Sequence, residues 1–298
     1  MPNALTAYTP TLWANESLAL LREKVVMARL VRQDFSQELA SAGDTVNTRK
    51  PAKMVANTVS TSTGITIQDV AATNIPVTLN NHRDASFRIS DAEASRSFAN
   101  LSQEFLDPAA LAIANAIDLS LCGLYTDVTD IIDVGSAGGW KDAYSAARKR
   151  LNKNKVEETM RVAVLSDDDE GDVANLDILS KVNEAGDNQA LREGRIGRFR
   201  GFDTFRSSNI VNAGSPTVRH NLFFHRDAFA LVTRNLSPAA GEAFGVRQMN
   251  SADPDSGLSL RVTMSYNPTL LTTQFTIDTL YGVKTLDSLR ACRLRASY

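Results

Sequence analysis

Residues 45–81 read TVNTRKPAKMVANTVSTSTGITIQDVAATNIPVTLNN, a stretch rich in Thr, Ser, Asn and Val that holds no aromatic residue and few charges. In its returning half Ile65, Ile67 and then Ile75, Val77 and Leu79 recur at every second position, the period of a strand with one apolar face. The outgoing half, Thr45 to Ser60, is β-branched but alternates less cleanly. Together they predict a two-armed β-ribbon. Its turn falls either at Ser60-Thr61-Ser62-Thr63, just before Gly64, or at a second break near Ala71-Ala72-Thr73-Asn74. With about 16 residues per arm at ~3.3 Å each, the ribbon would reach ~50 Å, against a radius of gyration of ~19 Å for a compact chain of this length. It should therefore protrude. A lone two-stranded hairpin is marginal in water and its open edges invite other chains, so the simplest remedy is a neighbouring copy of the same protein.

The remainder is of ordinary globular composition, 298 residues with 43% hydrophobic and 22% charged, enough for about two domains. A formal net charge of −2 argues against wrapping nucleic acid with a basic surface, so any DNA contact should be local. Cys122 and Cys292 have neither metal spacing nor the pattern of a disulfide framework, and read as reduced thiols. Met1 to Pro10 lacks the basic and apolar regions of a signal peptide, and no apolar run is expected to span a membrane.

Ser17 to Leu39 predicts an amphipathic helix with Leu18, Leu21, Val25, Ala28, Val31, Phe35 and Leu39 on one face, ending at Ala42-Gly43-Asp44. After a strand at Phe87 and Ile89, Asp107 as N-cap and Pro108 at the first helical position open a long helix bearing Leu111, Ile113, Ile117, Leu121 and Leu124. Asp118 on its flank reads as a solvated or salt-bridged carboxylate. Gly135 to Gly139 is a hinge-like linker, followed by a helix with Trp140, Ala143, Tyr144, Ala147 and Leu151. Its closing Arg148, Lys149 and Arg150 complement the helix macrodipole. Strands are expected at Met160–Leu165, Phe199–Phe205, Leu222–Phe224, Leu258–Tyr266, Gln274–Leu280 and Arg290–Leu294, with a short helix over Asp227–Thr233. The order is mixed α+β, without repeating βαβ units.

Chemistry is sparse. Asp167, Asp168, Asp169, Glu170 and Asp172 form the one acidic cluster, but the spacing fails the calcium-loop pattern and reads as an exposed, helix-initiating turn. Gly194, Gly197 and Gly201 match neither a dinucleotide nor a P-loop fingerprint. Arg195, Arg198 and Arg200 concentrate positive charge beside aromatics, suiting either nucleic acid or an acidic turn on a neighbour. His82, His220 and His225 stand in no nucleophile or zinc motif, and His225 reads as a cap or packing residue. No cofactor, metal or catalytic residue is expected.

The order of elements resembles the major capsid proteins of tailed bacteriophages, with the Hong Kong 97-like fold, and the podovirus coat-protein branch in particular. The likeness is carried by Gly43-Asp44-Thr45-Val46, by Phe87-Arg88-Ile89-Ser90-Asp91, by the helix after Leu106-Asp107-Pro108, and by Gly194 to Asn209. Phe224-His225-Arg226-Asp227-Ala228-Phe229-Ala230-Leu231-Val232, Leu258 to Met264 and Leu280-Tyr281-Gly282-Val283 add to it. The resemblance implies an N-terminal arm over residues 1–43, an extended loop over 44–82, a peripheral domain over 83–134 and 257–298 with a long spine helix, and an axial domain over 135–256. It also implies a shell subunit that assembles into hexamers and pentamers in the host cytoplasm and encloses packaged double-stranded DNA in the virion. A scaffolding protein, a portal protein and a decoration protein would be partners, and no membrane. Because no long scaffolding-like N-terminal extension is present, the scaffold would be a separate chain.

The assembly residues this implies are Val46, Arg49, Lys50, Lys53, Ile65, Ile67, Ile75, Val77 and Leu79 on the loop. Charge contacts would involve Arg195, Arg198, Arg200, Asp167, Asp168 and Asp169 in the axial domain. A covalent cross-link through Lys50 or Lys53 is not expected, since no partner motif matches. The competing readings are an enzyme or ligand-binding domain with the ribbon as a lid, and a phage decoration or tail-tube protein assembling by strand addition.

Overall fold

The computed structural model describes residues 17, 19, 21, 25–33, 45–50, 54–59, 61–62, 64–65, 67–68, 73–91, 98–176, 196–214, 218–234, 236, 246–252 and 258–297. Its strands form two large sheets and one two-stranded ribbon.

The ribbon is β1 (Thr45–Lys50) against β2 (Thr73–Thr78). The first sheet contains β3 (Asn81–Ser90), β10 (Phe229–Arg234), β11 (Val246–Ala252), β12 (Ser259–Asn267) and the 14-residue β13 (Thr272–Thr285). β13 is its axis: it pairs antiparallel with β3 along one edge, and with β12 and then β10 end to end along the other. The second sheet runs β4 (Ile131–Asp133), β14 (Ala291–Ser297), β9 (Val218–His225), β5 (Arg161–Leu165), β7 (Phe202–Arg206) and β6 (Arg198–Phe199), with β8 (Asn212–Ala213) also on β9. β4 with β14 and β5 with β7 are parallel and the other pairs antiparallel.

The period of two sorts the side chains into layers. In β5, Val162 and Val164 face the larger core while Ala163 and Leu165 face a second one; in β9, Leu222 and Phe224 oppose Phe223 in the same way. On β13, Phe275, Ile277 and Tyr281 join the larger core and Leu280 turns to the ribbon, as Phe229 and Leu231 do opposite Ala230 and Val232 on β10. The larger core lies between the two sheets and takes in Ile113, Ile117 and Leu121 of the long helix. The helices are α1 (Met27–Leu30), α2 (Phe98–Cys122), the single turn α3 (Val134–Ala137), α4 (Trp140–Lys153) and α5 (Asp167–Ala174). α4 buries Trp140, Ala143, Tyr144, Ala147 and Leu151, the five residues its spacing predicts, on the far face of the second sheet.

Several expectations are corrected. The N-terminal helix is not continuous: it breaks at Val25-Val26, restarts as α1, and by Arg32 the backbone is extended and bridges Ala230. The cause is Asp118, whose buried carboxylate accepts the Val26, Met27 and Ala28 N–H groups at 2.9, 3.0 and 3.3 Å and so caps α1. Asp118 is therefore not a solvated flank. Leu18, Phe35 and Leu39 lie outside the described residues. α2 begins at Phe98, upstream of Pro108, which sits inside the helix, and Leu111 is exposed. Asp107–Asp127 is long and apolar enough to cross a membrane by length and composition, contrary to expectation, yet its Ile113, Ile117 and Leu121 are packed in the core.

Phe229–Arg234 is a strand, not a helix; a short apolar run buried on both faces carries no helical period. The chain also crosses between the two sheets. The 229–234 and 246–252 strands join the first sheet, and the final strand, 291–297, joins the second.

Candidate assembly interface

The ribbon is fastened at its base and free beyond it. Val46 and Thr48 on β1 and Val77 and Leu79 on the returning arm are buried, with Val46 opposite Val77 and Thr48 opposite Ile75. Val46, Val77 and Leu79 pack on Ala230, Val232, Leu280 and Leu286 of their own chain. The seat is close. A Cβ placed on Gly282 would stand 2.3 Å from the Thr78 carbonyl oxygen and 3.3 Å from the Leu79 Cα, so only glycine admits the ribbon backbone here.

The register pairs Thr45 with Thr78 and Lys50 with Thr73. The same alignment places Val55 opposite Gln68, whose side chain bonds both the Val55 carbonyl and, at 3.1 Å, its N–H. The turn is at Thr61-Ser62, the first of the two positions the sequence leaves open. From Thr45 to that turn the arm is 16 residues, about 50 Å if extended throughout.

No other strand pairs with β1 or β2 among the described residues. Outward from the base the described apolar side chains are exposed: Met54 is 67% exposed, Val55 68%, Val59 65%, Ile65 74% and Ile67 84%. By the register, Met54, Ile65 and Ile67 lie on the same ribbon face as Val46 and Val77. Val46, Val77 and Leu79, expected to touch a neighbour, thus anchor the ribbon to its own body, and Ile75 is half-buried beside them. Ile65 and Ile67 stand free. Arg49 and Lys50 are on β1, and Lys53 lies outside the described residues.

A second group tightens the first sheet on the ribbon's side. Asp278, buried on β13, accepts two bonds from Arg261 on β12 (3.0 and 2.6 Å) and meets His82 Nε2 on β3 at 2.8 Å. This is a cross-strand ion-pair network.

The charged residues predicted as contacts have partners within the chain. Asp169 is fully buried and accepts from Ser166 Oγ and Asn221 Nδ2 at 2.7 Å each and from Arg219 Nε at 3.2 Å; it braces Ser166, the N-cap of α5, whose Oγ accepts the Asp169 N–H at 3.3 Å, and it is not part of an exposed turn. Asp168 meets Arg219 at 2.7 Å and Asp167 meets Arg206 at 3.3 Å, both from exposed positions. Arg198 lies 4.0 Å from Asp203. Arg200 stacks over Phe199 and donates to Ser145, and Arg195 lies outside the described residues. Among the described residues no three His, Cys, Asp or Glu converge to hold a metal.

The histidines are structural. His225 caps the turn Arg226–Ala228, its Nδ1 accepting the Asp227 N–H at 3.2 Å, the role its position predicts. His220 stacks on Tyr125 at 4.3 Å. Burial lowers the pKa of both, reinforced for His220 by Arg293 and Arg295. Cys122 and Cys292 are free and buried, and burial pushes the Cys122 thiol up to about 12 and that of Cys292 still higher.

No protein-family model and no curated protein matches the chain. Solved structures do. A chain of Mycobacterium phage Che8 superposes with a TM-score of 0.66 at 18% identity, over 91% of this chain and 90% of its own. The capsid of cyanophage P-SCSP1u gives 0.65 at 12%, over 92% and 88%, and that of Ralstonia phage GP4 gives 0.61 at 12%, over 91% and 88%. The chain has the phage capsid fold. That fold accounts for the α+β order of arm, extended ribbon, long helix and two sheets, and it extends over nearly the whole of each matched chain. The sequence missed Gly282 as a contact and Asp118 as a cap. The one local signal for the first was a glycine inside a strand pattern, which marks close backbone approach.

Proposed function

We propose that this protein is a shell subunit: many copies self-assemble into an icosahedral capsid that encloses packaged double-stranded DNA, and the work is structural, not catalytic. One observation carries the reading. Among the described residues the ribbon, seated on its own sheet, presents five large apolar side chains to solvent, and no third strand pairs with β1 or β2. Heterologous contacts of this kind close into rings, which suits hexamers and pentamers. The capsid fold supports it. On this reading Ile65 and Ile67, with Arg49, Lys50 and Lys53 on the outgoing arm, contact a neighbouring subunit, and Asp167, Asp168, Arg195 and Arg198 make charge contacts around it. A scaffolding protein, a portal and a decoration protein would be its partners, with assembly in the host cytoplasm.

The test is the double variant Ile65→Ser with Ile67→Ser. Each exposed isoleucine buried at an interface is worth about 1.5–3 kcal/mol, so the pair removes roughly 3–6 kcal/mol from every subunit contact. The variant should keep its circular dichroism and melting temperature and form no particles in electron micrographs under conditions where the wild type does. Particles in normal yield would refute the assignment of these residues.

A further inference from the structure

The solvent face of α4 holds a cleft that neither the ribbon nor the shell contacts explain. Of about 600 Å³, it is lined by Ser145, Arg148, Lys149, Asn152, Lys153 and Arg200, four cations and no carboxylate in a chain whose net charge is −2. A second cleft of about 580 Å³ shares Lys149 and Lys153.

Two walls converge on it. Ser145, Lys149 and Lys153 fall at four-residue spacing along one stripe of the helix, opposite the buried stripe of Tyr144, Ala147 and Leu151. The other wall is the two-residue turn between β6 and β7, where Arg200 and Gly201 both take positive φ, +48° and +92°. Such a turn suits Asn, Asp or Gly at its first position, and an arginine held there is an outlier of the kind that clusters at binding sites. Arg148 lies beside this turn, its Nε 3.8 Å from where a Cβ on Gly201 would stand, an ordinary contact; it is the positive φ that calls for glycine there.

Helix-dipole complementation accounts for cations at the end of α4 but not for Arg200, which comes from another element. Arg148 leans on Glu158 at 3.3 Å, with both groups largely exposed. Lys149 and Lys153 form no ion pair among the described residues, although like charges one turn apart repel.

We propose that this cleft binds the phosphate backbone of a nucleic acid, with Arg148, Lys149, Lys153 and Arg200 neutralising phosphates and Ser145 and Asn152 as added hydrogen-bonding groups. No aromatic ring lines the cleft to stack a base, so the contact is independent of sequence. The choice of nucleic acid among polyanions rests on the shell reading; the cleft's affinity for an anionic chain does not.

The experiment uses the full chain, a labelled random-sequence DNA duplex and fluorescence anisotropy at several salt concentrations. Four neutralised phosphates predict that affinity falls about 100-fold between 50 and 200 mM salt. Lys149→Ala with Lys153→Ala should lower affinity at least tenfold at 50 mM and about halve the salt slope. Arg88→Ala, an exposed cation on β3, should change neither. An unchanged slope in the double variant overturns the proposal, as does displacement of DNA by polyglutamate at equal charge concentration, which would make the cleft a seat for an acidic protein segment. Micrographs and absorbance ratios of particles separate the two readings. Wild-type protein that binds DNA as stated but forms no particles sinks the shell and leaves the cleft; particles that fill equally in wild type and variant sink the cleft and leave the shell.

Discussion

Replacing Gly282 by alanine tests the seat of the ribbon directly. The new Cβ would sit 2.3 Å from the Thr78 carbonyl oxygen and 2.9 Å from its carbon, where ordinary contact begins near 3.4 Å. Both obstacles are backbone atoms, so no side-chain rotation relieves them, and the ribbon base must retreat by about 1 Å. A gap of that size forfeits a quarter to a half of each contact it opens. Val46, Val77 and Leu79 each gain about 2 kcal/mol by burial, so the loss is roughly 1.5–3 kcal/mol. For a chain of this size that lowers the melting temperature by about 2–5 °C. If the ribbon pivots about the Lys50–Thr73 end of its ladder, the arm beyond is about twice as long as the docked part, and the Thr61-Ser62 turn swings by about 2 Å. Calorimetry reads the first effect, and faster amide exchange at Val46 and Val77 with unchanged protection in α4 reads its location. A melting temperature within 1 °C of wild type, with equal protection at the ribbon base, would refute the close seat.

Two further predictions concern buried groups. Burial pushes the Asp118 carboxyl up to about 6 in spite of three N–H bonds and Arg29, so between about pH 4 and 6 the folded protein holds a proton there that the unfolded chain, near 3.8, has released. A raised acid pKa means stability is fullest below pH 4 and lost as pH rises through 6, by about 3 kcal/mol; urea titrations should show wild type losing that much relative to Asp118→Asn between pH 4 and 7, and a pH-independent difference would count against it. Cys122 and Cys292, buried and protonated, should resist an aromatic disulfide reagent at pH 8 in native protein and both react in denaturant; fast labelling of either in the native state would contradict their burial.

What the sequence discloses depends on how local the cause is. The buried stripe of α4 and the alternation of Ile75, Val77 and Leu79 are legible because a single element's period carries them. The break in the N-terminal helix is not, since its cause, Asp118, lies 92 positions from Val26. Phe229–Val232 has no period because both its faces are covered, and the membership of β14 in the second sheet depends on pairing with Val218–Phe224, a long-range choice. Of the candidate site, the sequence identified the ribbon and its free isoleucines. It could not divide the buried anchor from the exposed residues, because Val77 and Ile67 obey one alternation and differ only in what lies beneath them.

That division also bears on the ribbon as a lid. The layers run from the ribbon base through the first sheet, the shared core with α2, the second sheet and then α4. The clefts lined by Lys149 and Lys153 lie on the outer side of α4, so both sheets stand between them and the ribbon's seat. A lid needs a site within its sweep, and it hides its apolar face when closed. Here the anchored end packs on Ala230, Val232, Leu280 and Leu286, while Ile65 and Ile67 beyond it are bare. On that side of the first sheet Asp278 is bonded by Arg261 and His82 across three strands, which stiffens the platform on which the ribbon stands. A stiff platform with an uncovered arm gains nothing within one subunit. On the shell reading proposed above, it would gain about 1.5–3 kcal/mol for each isoleucine that a second copy covers, and a shell would repeat that gain at every contact.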